Sequence, residues 1–251
     1  MSGITAATRG PVAYIGLNRP EKKNAITTEM YAELGEALAR AGADEQVRVV
    51  LVHGSRDCFT AGNDLGDFLK RPAGAASPAS RFFEVLPGLQ KPVVAAVAGP
   101  AVGIGTTLLL HCDFVYAAPS ARFQLPFVPL GIVPEFGSTY LLPLLAGYQR
   151  AAELLLLGQP FTAEKALQAG IVTAIADDPL AKAQETAQTL ASLAPESLRL
   201  TKRLLKSAHA KLVRETIDEE TKIFRERLSS PEAKEAMSAF LEKRKPDFSR
   251  F

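Results

Sequence analysis

The sequence predicts an α/β body followed by a helical tail. Strand-like and helix-like segments alternate through the first half, which argues for βαβ-type units. From Glu135 onward nearly everything reads as helix, with one strand near Ile171–Ile175. The stretch from Leu180 to Lys243 is a run of amphipathic helices broken at Pro195 and Pro231.

Val12–Leu17 reads as the first strand. Thr27 or Thr28 can N-cap a helix whose apolar positions Met30, Leu34, Ala37, Leu38 and Ala41 share one face. Val47–His53 is a β-branched run closed by Gly54, hence a second strand. Pro92–Ala98 gives a third and Phe114–Ala117 a short fourth. Between Arg71 and Ser80 a Pro, Gly, Ala and Ser stretch predicts a mobile loop. The change of character suggests a core over residues 1–190 and a packing or oligomerisation region over 191–251. No internal repeat is visible.

Composition excludes several classes of function. The 251 residues carry a net charge of +2 with the two signs well mixed, which is too weak and dispersed for a nucleic-acid partner. No apolar run reaches the ~20 residues needed to span a bilayer. Met1–Gly10 lacks the apolar stretch of a signal peptide, so a soluble cytoplasmic protein is expected. Cys58 and Cys112 sit in apolar surroundings without ligand spacing and read as packed, reduced thiols. No metal cluster is expected. His53, His111 and His209 lie far apart and read as structural or solvated. The absence of a G-x-S-x-G elbow disfavours a serine hydrolase.

Three segments carry candidate chemistry. Phe59-Thr60-Ala61-Gly62-Asn63-Asp64-Leu65 follows a strand. It is either an ordinary turn or a tight one with exposed backbone N–H groups. Ala98-Gly99-Pro100-Ala101-Val102-Gly103-Ile104-Gly105-Thr106-Thr107 leads from a strand into a helix of Leu108, Leu109 and Leu110. Its glycines serve close packing, or they open a helix N-terminus to an anion. Leu108 breaks the dinucleotide-loop pattern. In the third segment, Pro134-Glu135 reads as a helix start, yet Phe127, Ile132, Val133 and Phe136 surround the carboxylate. A carboxylate desolvated in this way is a candidate general base.

Taken in order, these segments resemble the crotonase (enoyl-CoA hydratase/isomerase) family over almost the whole chain. Asn18-Arg19-Pro20 with Asn24-Ala25 is similar to the family's early turn. Ala61-Gly62-Asn63-Asp64-Leu65 and Gly103-Ile104-Gly105 resemble its two oxyanion-hole segments, and Phe240 with Glu242-Lys243-Arg244 its C-terminal signature. The resemblance implies a ClpP/crotonase-type α/β spiral of ββα units with two roughly perpendicular sheets and a C-terminal helical trimerisation region. It implies a homotrimer or dimer of trimers acting on an acyl-CoA thioester, with CoA as part of the substrate and no resident cofactor.

By the same resemblance, the N–H groups of Asn63 and Ile104 hold the thioester oxygen. Lys22, Lys23, Ala25, Ala61, Asp64, Leu65, Phe240 and Lys243 fall at CoA-binding positions, Lys243 reaching phosphate from a neighbouring subunit. Family hydratases use two glutamates, where this sequence has Thr107 and Phe127. Glu135 occupies the base position of Δ3,Δ2-enoyl-CoA isomerases, and the motifs are similar to the peroxisomal-type branch. An isomerase of fatty acid metabolism is therefore expected. The alternatives are a ring-opening isomerase, a weak hydratase and a non-catalytic acyl-CoA-binding subunit.

Overall fold

In the computed structural model, residues 3–68 and 79–251 are described. The strands are β1 (Ile4–Arg9), β2 (Val12–Leu17), β3 (Val49–His53), β4 (Val93–Val97), β5 (Pro100–Val102), β6 (Phe114–Ala117), β7 (Arg122–Gln124), β8 (Phe161–Thr162) and β9 (Ala174–Ile175). The α-helices are α1 (Thr28–Ala43), α2 (Leu65–Phe68), α3 (Ser80–Gly88), α4 (Ile104–Thr107), α5 (Ser138–Ala146), α6 (Tyr148–Leu157), α7 (Ala163–Gln168), α8 (Pro179–Ser192), α9 (Pro195–Ser207), α10 (Ala210–Leu228) and α11 (Pro231–Leu241). The loop expected over Arg71–Ser80 lies almost entirely outside the described residues.

A six-stranded sheet runs β1-β2-β3-β4-β6-β9, parallel except for the β1–β2 hairpin. The β3 run VVLVH is apolar at almost every position because both its faces are covered. Val50 and Val52 face the main core with α1 and α3, while Val49 and Leu51 meet Ala183, Ala187 and Leu190 of α8. The second sheet is short, in the order β5-β7-β8. Each turn of the spiral gives one strand to each sheet and then a short helix: β4, β5 and α4, then β6, β7 and the 3-10 turn Val128–Leu130. The fold is the crotonase-type α/β spiral that the sequence predicts.

Gly99 makes the passage between sheets possible. It adopts a φ of +64°, and a Cβ there would stand 1.9 Å from the Asp57 carbonyl oxygen. Thr27 N-caps α1 by accepting from the Met30 N–H at 3.3 Å. Pro195 and Pro231 open α9 and α11 at their first turns.

The tail is not an appendage with a separate interior. Ile217 and Phe224 of α10 and Ala233 of α11 belong to the main core. A buried ion pair pins α9 to the sheet, with Lys202 Nζ 2.6 Å from Asp113 Oδ2 and 2.7 Å from the Lys91 carbonyl. The apolar stripe expected on the tail is only partly covered. Leu198 packs against the α8 layer, whereas Leu204, Leu205 and Leu212 are exposed.

Three expectations are corrected. β1 was not read in Met1–Gly10, because an edge strand with one buried residue carries no apolar alternation. The helix expected through Leu108–Leu110 is α4 followed by a 3-10 turn over Leu108–His111, which lets the chain reverse into β6. Glu135 is not in the first turn of a helix. Phe136 and Gly137 take φ values of +60° and +73°, so the helix starts only at Ser138.

Candidate active site

The site is organised around Asn24. The short turn Pro20–Lys22 leaves Lys23 and Asn24 in left-handed backbone, a conformation Asn tolerates well. The buried Asn24 amide donates to the carbonyls of Cys58 and Phe59 at 3.0 and 3.1 Å and accepts from the Arg19 N–H at 2.8 Å. Its own carbonyl accepts the Thr60 hydroxyl at 2.7 Å. The Lys23 carbonyl accepts the Ala61 N–H at 2.9 Å. The early turn and the first candidate oxyanion segment are thus one hydrogen-bonded unit.

Asn63 sits beyond that unit in a parallel bridge with Ile26. Ile26 donates to the Gly62 carbonyl and accepts from the Asp64 N–H, so the Asn63 N–H points to the opposite side. Tyr31 of α1 donates to Asn63 Oδ1 at 2.6 Å and fixes its side chain. Asp64 is engaged by Arg19 at 2.6 Å and accepts from the Asp67 N–H, which starts α2. The Arg19 hydrogen bond holds the Asp64 carboxyl below its ordinary range. Ala25 is half-buried, and its carbonyl accepts Arg19. Leu65 begins α2; its side chain lies outside what is described.

The second segment lies against the first. Thr60 bridges Ala101, and the Val102 N–H donates to the Thr60 carbonyl at 3.0 Å. Gly62 has a φ of +90°, with space for no Cβ because the Val102 carbonyl oxygen would be 2.9 Å away. A Cβ on Gly105 would strike Thr60 Cγ2 at 2.4 Å. Gly103, with φ 56° and ψ −118°, turns the chain so that Ile104 is the first residue of α4. Among the described residues, neither the Asn63 nor the Ile104 N–H is given to a protein acceptor.

Glu135 is brought to the same helix. Thr107, the last residue of α4, gives its hydroxyl to the Ile104 carbonyl at 3.5 Å and lies near enough to the Glu135 carboxyl to favour its ionised form. Glu135 is 5% exposed, and its Oε1 has no hydrogen-bond partner among the described residues. Burial pushes the carboxyl up to about 8, with the nearby Glu220 carboxylate adding to the rise and Thr107 opposing it. The next residue, Phe136, is locked between Phe83 (4.2 Å, stacked) and His111 (4.1 Å), and its carbonyl contacts His111 Nε2 at 2.8 Å. Burial lowers His111 to about 3, so it stays neutral and reads as a structural histidine. Thr107 and Phe127 are both buried and leave no second acid or base beside Glu135 from those positions.

The structure therefore joins Ala25, Ala61, Asn63, Asp64, Ile104 and Glu135, with the exposed Lys22 and Lys23 on the turn beside Ala61. Phe240 and Lys243 lie elsewhere, exposed at the end of α11, which packs on the Val128–Leu130 turn. Asn24, Arg19, Tyr31, Thr107 and Glu220 were missed as site-building residues by sequence reasoning. The Asn18-Arg19-Pro20 and Asn24-Ala25 turn signals pointed toward two of them, and Thr107 was read only as standing where family hydratases carry a glutamate. Among the described residues no cluster of three or more His, Cys, Asp or Glu could hold a metal ion, and no helix is long and apolar enough to cross a membrane.

Comparison with known proteins agrees with this fold. The family model for enoyl-CoA hydratase/isomerase matches residues 7–250. The chain is 38% identical to 1,2-epoxyphenylacetyl-CoA isomerase of Escherichia coli, over 99% of this chain and 98% of that protein. It is 36% identical to enoyl-CoA delta isomerase 2 of Rattus norvegicus, over 97% of this chain but only 64% of the rat protein. The solved structure of an enoyl-CoA hydratase/isomerase from Pseudoalteromonas atlantica superposes with a TM-score of 0.94 at 42% identity, covering 99% and 100% of the two chains. Pseudomonas aeruginosa OdaA gives 0.93 at 47% identity over 96% and 99%. With its fold, its paired backbone donors and its buried carboxylate, the chain belongs to the enoyl-CoA hydratase/isomerase family, whose chemistry is isomerisation or hydration of acyl-CoA thioesters.

Proposed function

We propose that the protein is a Δ3,Δ2-enoyl-CoA isomerase. Glu135 removes a proton from C2 of a 3-enoyl-CoA and returns it to C4. The thioester oxygen becomes a dienolate oxyanion, accepting from the Asn63 and Ile104 N–H groups. The observation that carries this reading is a buried carboxylate with an unpartnered oxygen, set beside the helix that presents Ile104. A proton shuttle needs one such group. Hydration needs a water activated at one place and a proton delivered at another, and Thr107 and Phe127 supply neither. The rise of Glu135 toward neutral pH favours a group that must both take and return a proton.

A second reading has its own support. The likeness to 1,2-epoxyphenylacetyl-CoA isomerase favours a ring-opening isomerisation that uses the same Glu135 and the same donors with a different acyl pocket. A panel of 3-enoyl-CoA, 2-enoyl-CoA and arene-epoxide acyl-CoA thioesters separates the readings. Isomerisation of a 3-enoyl-CoA should exceed hydration of any 2-enoyl-CoA. Faster hydration of crotonyl-CoA than isomerisation of every 3-enoyl-CoA sinks the proposal. Turnover of the epoxide alone transfers the site to the second reading.

The remaining assignments follow from this one. Lys22 and Lys23 meet the nucleotide end of CoA, beside Ala25, Ala61, Asp64 and Leu65. Phe240 and Lys243 do so from a neighbouring subunit, in the cytoplasm, within a trimer or a pair of trimers. Charge reversal at Lys22, Lys23 or Lys243 should raise KM and its salt sensitivity with little change in kcat. An unchanged KM removes that lysine from the site. The exposed Leu204, Leu205 and Leu212 support assembly through the tail helices. Light scattering at micromolar concentration should give a multiple of three chains, and a monomer refutes it.

A further inference from the structure

The molecule holds a second buried carboxylate beside the first. Glu220 of α10 is 5% exposed. Its Oε2 accepts the Gly137 N–H at 2.6 Å, and its Oε1 accepts both the N–H and the hydroxyl of Thr139, at 2.8 and 2.6 Å. These contacts cap α5. The helix N-cap, Gly137, has no side chain to do so, and a distant helix supplies the acceptor instead. The capped residues directly follow Glu135 and Phe136. Ile217 and Val213, on the same helix as Glu220, lie 3.3 and 3.6 Å from where a Gly137 Cβ would stand.

A neutral acceptor would serve a cap, whereas burying a carboxylate for that purpose costs solvation energy. The charge has a second effect, because Glu135 lies close enough to feel it. We infer that Glu220 is a positioning residue for the proposed base. It fixes the strained Phe136–Gly137 turn that aims Glu135, and it sets a second carboxyl beside that base, so that ionising one opposes ionising the other. This rests on the reading of Glu135 as the base.

The neighbouring elements carry other titratable groups. On the 3-10 turn after α4, His111 is held neutral by burial, and Lys206 of α9 donates to the His111 carbonyl at 2.9 Å. Arg227 of α10 pairs with Glu232 of α11 and donates to the Gly131 carbonyl. Glu219 lies next to Glu220 and acts on it rather than on Glu135. Burial raises Glu220 as well, but its three donors oppose that rise, and Glu135 has only Thr107. Two carboxyls thus share one buried region, one held by three donors and the other with an unpartnered oxygen.

Carboxyl titration by NMR on protein labelled with 13C at glutamate Cδ tests this directly, with the Glu135→Gln variant assigning the Glu135 signal. In Glu220→Gln the Glu135 midpoint should move to lower pH, and the acid limb of the kcat profile should move with it. Glu220→Asp keeps the charge but withdraws it from Gly137 and Thr139. It should keep the raised midpoint and lower kcat at least tenfold with KM near the parent value. A Glu135 midpoint unmoved in folded Glu220→Gln, or a parental kcat in Glu220→Asp, overturns the inference. The titration needs no turnover. A midpoint that moves in a protein without 3-enoyl-CoA isomerisation upholds the coupling and rejects the proposed reaction.

Discussion

Glu135→Gln should lower kcat for 3-enoyl-CoA isomerisation by ~10²–10⁴, the usual contribution of a positioned acid–base group. Gln keeps the shape and removes only the ionisable group, so folding and acyl-CoA binding should be nearly unchanged. Glu135→Asp should retain partial activity, since only its reach is altered. The same variant changes stability in a pH-dependent way. The folded-state carboxyl is raised from 4.5 to about 8, so the folded protein keeps a proton that the unfolded chain has already released. That preference stabilises the parent fully below pH 4.5 and is lost progressively as pH rises through about 8. Relative to the parent, Glu135→Gln should gain nothing in acid. It should gain on the order of a few kcal/mol above pH 8. Melting curves at pH 4.5 and 9 measure this, and parallel shifts at both pH values contradict a raised Glu135.

Ile104→Pro should lower kcat by ~10²–10³, the cost of losing one oxyanion donor. The substitution is informative because Ile104 is the first residue of α4, where Pro is tolerated and no intrahelical bond uses the N–H. Some core packing is lost with the buried Ile104 side chain, so kcat must be expressed per folded protein. Ile104→Val, which keeps the N–H, should remain within a fewfold of the parent. Equal rates in the Pro and Val variants, measured on single batches of substrate, exclude Ile104 from the hole.

The sequence was most informative where local chemistry and tertiary role coincide. Val49–His53 and Val93–Val97 are apolar because both faces are covered, so composition alone marks them as strands. Thr27, Pro195 and Pro231 mark helix starts by chemistry that acts within one turn. Asn63 and Ile104 stand out as candidates through the glycines beside them, Glu135 through its apolar neighbours, and all three through family motifs. What stayed hidden depends on groups distant in sequence. The α5 cap comes from Glu220, 83 residues from Gly137, and an expectation built on Pro134 placed the helix start too early. Asn24 reads as a turn residue, and its hold on Cys58 and Phe59 exists only after β3 has docked. Lys202 stands on an amphipathic helix, and its burial against Asp113 has no local signal because its partner is 89 residues away.

The central claim is that one buried carboxylate carries the proton between two carbons. The most direct test follows the label from a 3-enoyl-CoA deuterated at C2 through single-turnover isomerisation in ordinary water. A shuttle through Glu135, whose free oxygen is closed off from solvent, predicts a substantial fraction of the deuterium at C4 of the 2-enoyl-CoA product. It also predicts no measurable transfer on the same timescale with Glu135→Gln. Transfer at the parental rate by the Gln variant would contradict the account outright, because the site would then have no base.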